Sequence, residues 1–204
     1  MSRHSMGCLL VLGFCCGSSS HAADAEHLVD IGSPTSVISL DGDDWMLATD
    51  SDNVGREQQW WNAPRAAAKT TKVPWIIQDA FPEYHGVAWY WHDFVIPENT
   101  RAGGRYLLRF WAVDYKAEVW LNDVRIGSHE GAESPFVFDV TQAAKPNTSN
   151  RLAVRVLNPK QEDRLDGLVL KEIPHRNKGI PFSYGGIGNK GGIWDSVELM
   201  LVPE

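Results

Sequence analysis

The chain has 204 residues, 43% of them hydrophobic and 22% charged, the composition of an ordinary globular protein of one domain or at most two small ones. Nineteen basic against twenty-six acidic side chains give a net charge of −7, which offers no positive field to nucleic acid or to an anionic lipid surface. A (β/α)8 barrel takes about 250 residues, so this length cannot hold a β-sandwich and a catalytic barrel together.

The first 23 residues read as an export signal. Arg3 and His4 precede an apolar run from Met6 to Gly17, followed by Ser18, Ser19 and Ser20 and the small-residue stretch Ala22-Ala23-Asp24-Ala25. Cleavage near Ala22 or Ala23 is the expectation, leaving one domain over residues 24–204 and placing it outside the cell or in a periplasm. The apolar run is shorter than the roughly 18 residues that cross a bilayer, so no membrane span is expected. An uncleaved anchor is one alternative. A lipoprotein at Cys15 is another, against which Phe14 stands where a lipobox wants a small residue. Cys8, Cys15 and Cys16 are the only cysteines and all lie in this leader. The processed chain is therefore expected to have no disulfide, no thiol nucleophile and no cysteine-held metal.

From residue 36 onward the pattern has period two. A stretch around Asn62 to Lys69 is the only helical candidate, with Pro64 in a first turn before Arg65 and three alanines. Gly86 to Ile96 is apolar or aromatic on both faces, as expected of a central strand covered on each side. Tyr106, Leu108, Phe110 and Ala112 alternate with Arg105, Leu107, Arg109 and Trp111. Ala117–Leu121, Asn122-Asp123 and Val124–Gly127 read as a hairpin, asparagine supplying the positive φ of a two-residue turn. Phe136 and Phe138 mark a short strand, Leu152, Val154 and Val156 a longer one, and Ile193–Val202 a last one. Many short strands with almost no helix indicate an all-β sandwich.

Several chemistry-bearing patterns have plainer readings. Gly186-Ile187-Gly188-Asn189-Lys190-Gly191 spells a dinucleotide fingerprint, but no βαβ unit fits around it, so no cofactor is expected. Asp50-Ser51-Asp52-Asn53-Val54-Gly55 begins like a calcium loop, yet Val54 stands at a ligand position and Trp61 where the bidentate glutamate belongs. His85, His92, His129 and His175 show no metal spacing, so no metal site is expected, and His129 reads as structural. Glu162, Asp163 and Asp166 read as a solvated turn. Of the nine tryptophans most belong to the core, while Trp60, Trp61 and Trp75 sit near loops and are freer to stack on a ligand. Asp114 and Tyr115, in the turn after a strand, are either ligand contacts or plain turn residues.

A set of short motifs stands in order along the chain: Leu40-Asp41-Gly42 with Trp45, Val73-Pro74-Trp75, Gly86 to Ile96 and Pro97, Val119-Trp120-Leu121-Asn122, Gly127-Ser128-His129-Glu130-Gly131, Pro135 to Thr141, and Gly192-Ile193-Trp194. From about Ser36 to Val202 the chain resembles the N-terminal sugar-binding domain of glycoside hydrolase family 2, the β-galactosidases, β-glucuronidases and β-mannosidases. The resemblance implies a jelly-roll β-sandwich similar to galactose-binding domains, with carbohydrate, a β-linked saccharide, as partner. In the family an immunoglobulin-like domain and a barrel with two catalytic glutamates follow. A retaining glycosidase needs two carboxyl groups about 5–5.5 Å apart. No Asn-Glu dipeptide like the one carrying the family's acid/base occurs here, so the chain by itself is expected to have no catalytic residues. Three readings follow: a carbohydrate-binding domain without the barrel, the N-terminal fragment of a full β-glycosidase, or a secreted protein-interaction module.

The family also lends polar residues from this domain to the barrel's substrate. Where β-galactosidases have an Asn after a Tyr-Thr pair, this chain has Tyr84-His85-Gly86. Where an Asp precedes the Gly-Ile pair, it has Gly185-Gly186. Asn189 remains a polar candidate there, flanked by Tyr184 and Lys190. The longest unpatterned segment, Gly167 to Gly192, is the one family domains use to approach the substrate, so His175, Arg176, Lys178, Tyr184 and Asn189 are candidate contacts to a saccharide or to a neighbouring catalytic domain.

Overall fold

Alternation along Arg105–Phe110 puts Tyr106, Leu108 and Phe110 on one face, and in the computed structural model all three are buried between two antiparallel sheets. The structure describes residues 32–160, 164–168 and 189–204. The expected export signal over residues 1–23 lies outside them. No described helix is long and apolar enough to cross a membrane.

Twelve strands are described: β1 (Ser36–Ser39), β2 (Gly42–Asp50), β3 (Lys69–Val73), β4 (Gly86–Val95), β5 (Arg105–Phe110), β6 (Val113–Asp114), β7 (Lys116–Leu121), β8 (Val124–Glu130), β9 (Phe136–Asp139), β10 (Ser149–Asn158), β11 (Gly192–Ile193) and β12 (Val197–Val202). One sheet runs β1-β12-β5-β9 and the other β3-β2-β4-β10-β7-β8, with β11 and β6 forming a small third ladder. The architecture is the all-β sandwich expected from the alternation. The Asn62–Lys69 helix is not formed. A single 3-10 turn covers Trp60–Asn62, and the one described α-helix is α1, Ile77–Ala80. Trp60 and Trp61 are drawn onto the sheet beneath, which makes this segment a cover for the sheet.

The hairpin forms as expected, with Asn122 at φ 58°. Its side chain has a further task. Nδ2 donates to the Ala143 carbonyl (2.8 Å) and Oδ1 accepts from the Arg151 N–H (3.1 Å), so the turn is tied to β10.

The six-stranded sheet is apolar on both faces. Ala88, Tyr90, Leu152, Val154, Val156, Val119 and Leu121 face the other sheet. Val87, Trp89, Trp91, Trp120, Ala153 and Leu157 face outward and are covered by Trp60, Trp61, Ala68, Leu165 and Leu168. Trp61 stacks on Trp120 at 5.3 Å between ring centroids and 4° between planes. β4 is covered on both sides from Gly86 to His92, as the Gly86 to Ile96 run implies, whereas Val95 near its end is 62% exposed, and β10 is covered on both sides as well. Set into this outer layer is Arg155, fully buried, whose guanidinium meets Glu118 (2.9 Å), Asp166 (3.0 Å) and Asn53 Oδ1 (2.6 Å). Arg56 adds a second cation to both acids, at 2.8 Å from Glu118 and 2.6 Å from Asp166. Asp166 does stand in an exposed turn, as expected, but its side chain is 15% exposed and is an ion-pair partner of both arginines, while Glu162 and Asp163 lie outside the described residues. Burial opposes its ionisation, but Arg155 and Arg56 overcome this and hold the carboxyl below the usual range.

Candidate functional site

Four of the sequence candidates converge on Gly191–Ile193, at the end of the sandwich where β10 finishes and β4 begins. Asp114 pairs with Gly192 and Val113 with Ile193. The Tyr115 N–H donates to the Leu157 carbonyl (3.0 Å), and the Trp75 N–H to the Ile193 carbonyl (2.8 Å). Asn189 enters from the preceding segment. The backbone is tight here. Gly192 has φ +135°, and a Cβ on it would lie 2.7 Å from Tyr90 Oη and 2.8 Å from the Trp75 carbonyl oxygen.

The candidates differ in what they expose. Asp114 is fully buried. Tyr115 is half-buried, and its hydroxyl is pushed above the usual tyrosine range by burial and then by the charge and hydrogen bond of Glu130. The Trp75 ring lies under the Lys72 ammonium, 3.8 Å from Nζ to the centroid, a cation–π contact. His175, Arg176, Lys178 and Tyr184 lie outside the described residues.

Asn189 belongs to a relay of side-chain amides that ties this end together. Gln78 Nε2 donates to the Tyr84 carbonyl (2.7 Å) and to Asn158 Oδ1 (3.1 Å), and its Oε1 accepts from the Gly191 N–H (3.2 Å). Asn158 Nδ2 donates to Asn189 Oδ1 (2.5 Å), and Asn189 Nδ2 to the Pro159 carbonyl (2.7 Å). His85 Nδ1 lies 2.8 Å from Asn158 Oδ1. Asn158 and Gln78 are almost inaccessible, so each bond replaces water that these groups have given up. Beside the relay opens a recess of about 420 Å3 lined by Ser51, Glu83, Tyr84, His85, Lys160 and Leu165. The Tyr84 hydroxyl donates to the Val87 carbonyl (2.6 Å), and burial raises its pKa.

Sequence reasoning named Asn189 and noted Tyr84 and His85, but missed Gln78, Asn158, Glu83 and Lys160. Two signals were present. Gln78 directly follows the apolar pair Ile76-Ile77, and Asn158 ends the alternating run of β10 with an amide where no water reaches it.

Other candidates have structural employment. Asp50 accepts from the Val54 N–H (2.9 Å), the Gly55 N–H (2.8 Å) and Trp89 Nε1 (3.0 Å), so its carboxylate braces the loop that resembles a calcium site. Trp60 and Trp61 are half-buried on the tryptophan layer. His129 stacks on Phe136 at 4.3 Å. Among the described residues no group of three or more His, Cys, Asp or Glu side chains is placed to hold a metal ion.

Known proteins agree with this architecture. A β-glucuronidase of Paenibacillus borealis is 35% identical over 119 residues, 56% of this chain and 20% of that protein. The β-glucuronidase of Rattus norvegicus is 28% identical over 173 residues, covering 78% of this chain and 27% of its own length. Among solved structures, β-glucuronidase from Ruminococcus gnavus in complex with N1-substituted uronic isofagomine superposes with a TM-score of 0.68 and 26% identity, over 85% of this chain and 30% of that one. The chain thus spans less than a third of the length of each of these relatives. Residues 75–203, which include every member of the amide relay, match the glycosyl hydrolases family 2 sugar binding domain, and the chain belongs to that family.

Proposed function

We propose that this domain supplies saccharide recognition to a β-glycosidase that works outside the cell or in a periplasm, and that it meets its β-linked sugar at the end of the sandwich where His85 and Asn189 come together. One observation carries the reading. Residues 104 positions apart, His85 and Asn189, are held against each other and against Asn158 by a relay of buried amides beside an open recess. Groups locked by such hydrogen bonds lose little freedom on binding, which is what a polar recognition site requires. The leader over residues 1–23 supports export.

The neighbouring acids Glu118 and Asp166 are spent on Arg155 and Arg56, so bond cleavage falls to a catalytic domain of the family, with β-glucuronides and β-galactosides as the substrate classes that the relatives' names suggest. The purified chain should bind methyl β-glycosides in saturation-transfer NMR and hydrolyse no aryl β-glycoside. Turnover that survives purification and disappears when one glutamate is changed would refute the division of labour. Absence of binding to every sugar tried would refute the recognition role.

A further inference from the structure

Asn147 stands in the turn that leads from β9 into β10, and that turn is built around a buried neighbour. Asn150 is fully inaccessible, and its side chain clasps the loop: Oδ1 accepts from the Lys145 N–H (2.9 Å), and Nδ2 donates to the Lys145 carbonyl (2.8 Å) and the Thr148 carbonyl (2.9 Å). Asn122 Nδ2 adds a bond to the same Oδ1 (3.0 Å), which fixes the loop to the β7–β8 hairpin. Held outside this clasp are Asn147, Thr148 and Ser149, three exposed residues in a row. Asn147 has φ 57°, the left-handed region that asparagine tolerates, and its N–H donates to the Ile96 carbonyl (2.8 Å). Its Nδ2 reaches Glu98 Oε2 at 3.3 Å, a bond open to solvent.

Asn147-Thr148-Ser149 has the spelling Asn-x-Ser/Thr, with x other than proline, in which the asparagine amide accepts an N-linked oligosaccharide. Of the nine asparagines, no other is followed two positions later by serine or threonine. A spelling this short also arises by chance, so its placement in the fold decides whether it can serve. An acceptor needs room for an enzyme and then for a sugar much larger than the side chain. Val95, paired with Ser149 across β4 and β10, is 62% exposed, so this corner of the sheet is open to solvent. Asn158, in the amide relay, ends the strand that Ser149 begins, about 30 Å away at about 3.3 Å per residue, so a glycan on Asn147 stands clear of the candidate sugar site.

We propose that Asn147 is the acceptor of an N-linked glycan when the chain is exported through a compartment that holds an oligosaccharide transferase. The inference goes beyond the recognition role and shares with it only the export reading. In the transfer, Asn147 Nδ2 attacks the anomeric carbon of a lipid-pyrophosphate-linked oligosaccharide. The bond from that carbon to Nδ2 forms as its bond to the phosphate oxygen breaks, the lipid pyrophosphate leaves, and the amide gives one of its two protons to a base of the transferase. The Ser149 hydroxyl is the group by which the enzyme recognises the acceptor.

The test expresses the full chain in insect cells, once with its own expected leader and once behind a host secretion leader, and reads the secreted protein by intact and peptide mass spectrometry before and after an amidase that releases N-glycans. One glycan on Asn147 is expected, its release leaving an aspartate in that place. Asn147→Asp keeps a residue that tolerates the left-handed turn, and Ser149→Ala keeps the asparagine itself. Both variants should be secreted, melt as the amidase-treated wild type does, and carry no glycan. If the chain with its own leader stays inside the cell while the one behind the host leader is glycosylated, the export reading fails and the assignment of Asn147 stands. A secreted wild type without a glycan on Asn147, or a glycan that persists in Ser149→Ala, overturns the assignment.

Discussion

Glu118 and Arg155 face each other across neighbouring strands, carboxylate to guanidinium at 2.9 Å, with the arginine side chain wholly inaccessible and the glutamate 9% exposed. Two charges this deep are held there by each other and by Asp166, Arg56 and Asn53. Removing Glu118 leaves the guanidiniums of Arg155 and Arg56 with the single carboxylate of Asp166, and breaking such a buried pair costs about 3–5 kcal/mol. Glu118→Ala should therefore lower the unfolding free energy by about that much in urea titrations. Replacing both residues together with leucine and methionine should cost less than the single change.

Asp166 ties pH to stability through the same cluster. Burial works against its charge, yet Arg155 and Arg56 keep its folded pKa below the unfolded value of about 3.9. A depressed carboxyl contributes stability above the unfolded pKa and loses it as pH falls through the folded one. Wild type should exceed Asp166→Asn in stability at pH 5–7, with the gap closing below about pH 4. A gap that persists undiminished in acid would show that packing, and not charge, makes the difference.

His92 gives a second window. It is buried, stacked against Trp45 at 4.8 Å and near Phe94 at 5.7 Å, with Asp44 Oδ1 3.6 Å from Nδ1. Burial lowers its pKa against the opposing pull of Asp44 and Asp93. Since the unfolded chain takes the proton more readily, stability is steady above the unfolded pKa of about 6.5 and declines as pH falls from there toward the folded value. His92→Phe keeps the stack and removes the titration. Unfolding midpoints of this variant between pH 7 and pH 5 should vary less with pH than those of the wild type.

Gly192 tests the crowding beneath the candidate site. An alanine there would combine a φ of +135° with contacts of 2.7 and 2.8 Å to Tyr90 Oη and to backbone oxygen. Gly192→Ala should cost more than about 1 kcal/mol in stability and weaken sugar binding, because Asp114 pairs with this residue and Trp75 and α1 are hydrogen-bonded to its neighbours Ile193 and Gly191.

The sandwich is legible in the sequence because strand burial has a short period. Tyr106, Leu108 and Phe110 declare their face within six residues, and Asn122-Asp123 declares its turn within two. The helix expected over Asn62–Lys69 fails because local propensity there is overridden by Trp60 and Trp61, whose partners Trp89, Trp91 and Trp120 lie about 30 and 60 positions away. Asp166 reads as a solvated turn for the same reason, since Arg56 and Arg155 have no local signature near it. The amide relay is the least legible part. Gln78, His85, Asn158 and Asn189 come from α1, the approach to β4, the end of β10 and the segment before β11, and only the β4–β10 pairing and the contact of α1 with Gly191 make them neighbours.

The ladder of the smaller sheet sets an order of assembly during synthesis. β1 is among the first described segments to be made and β12 the last, yet the Thr35 N–H and the Leu201 carbonyl are hydrogen-bonded across 166 positions, and β5 takes β12 as its other neighbour. The six-stranded sheet has all its strands once Asn158 is made, whereas β1 has no ladder partner until Val197–Val202 leave the ribosome. Until then Leu108, Phe110 and the inward side of β4 lack much of their cover. A nascent chain halted before Val197 should be cut by protease along that open side, and one halted beyond Glu204 on a long enough tether should not.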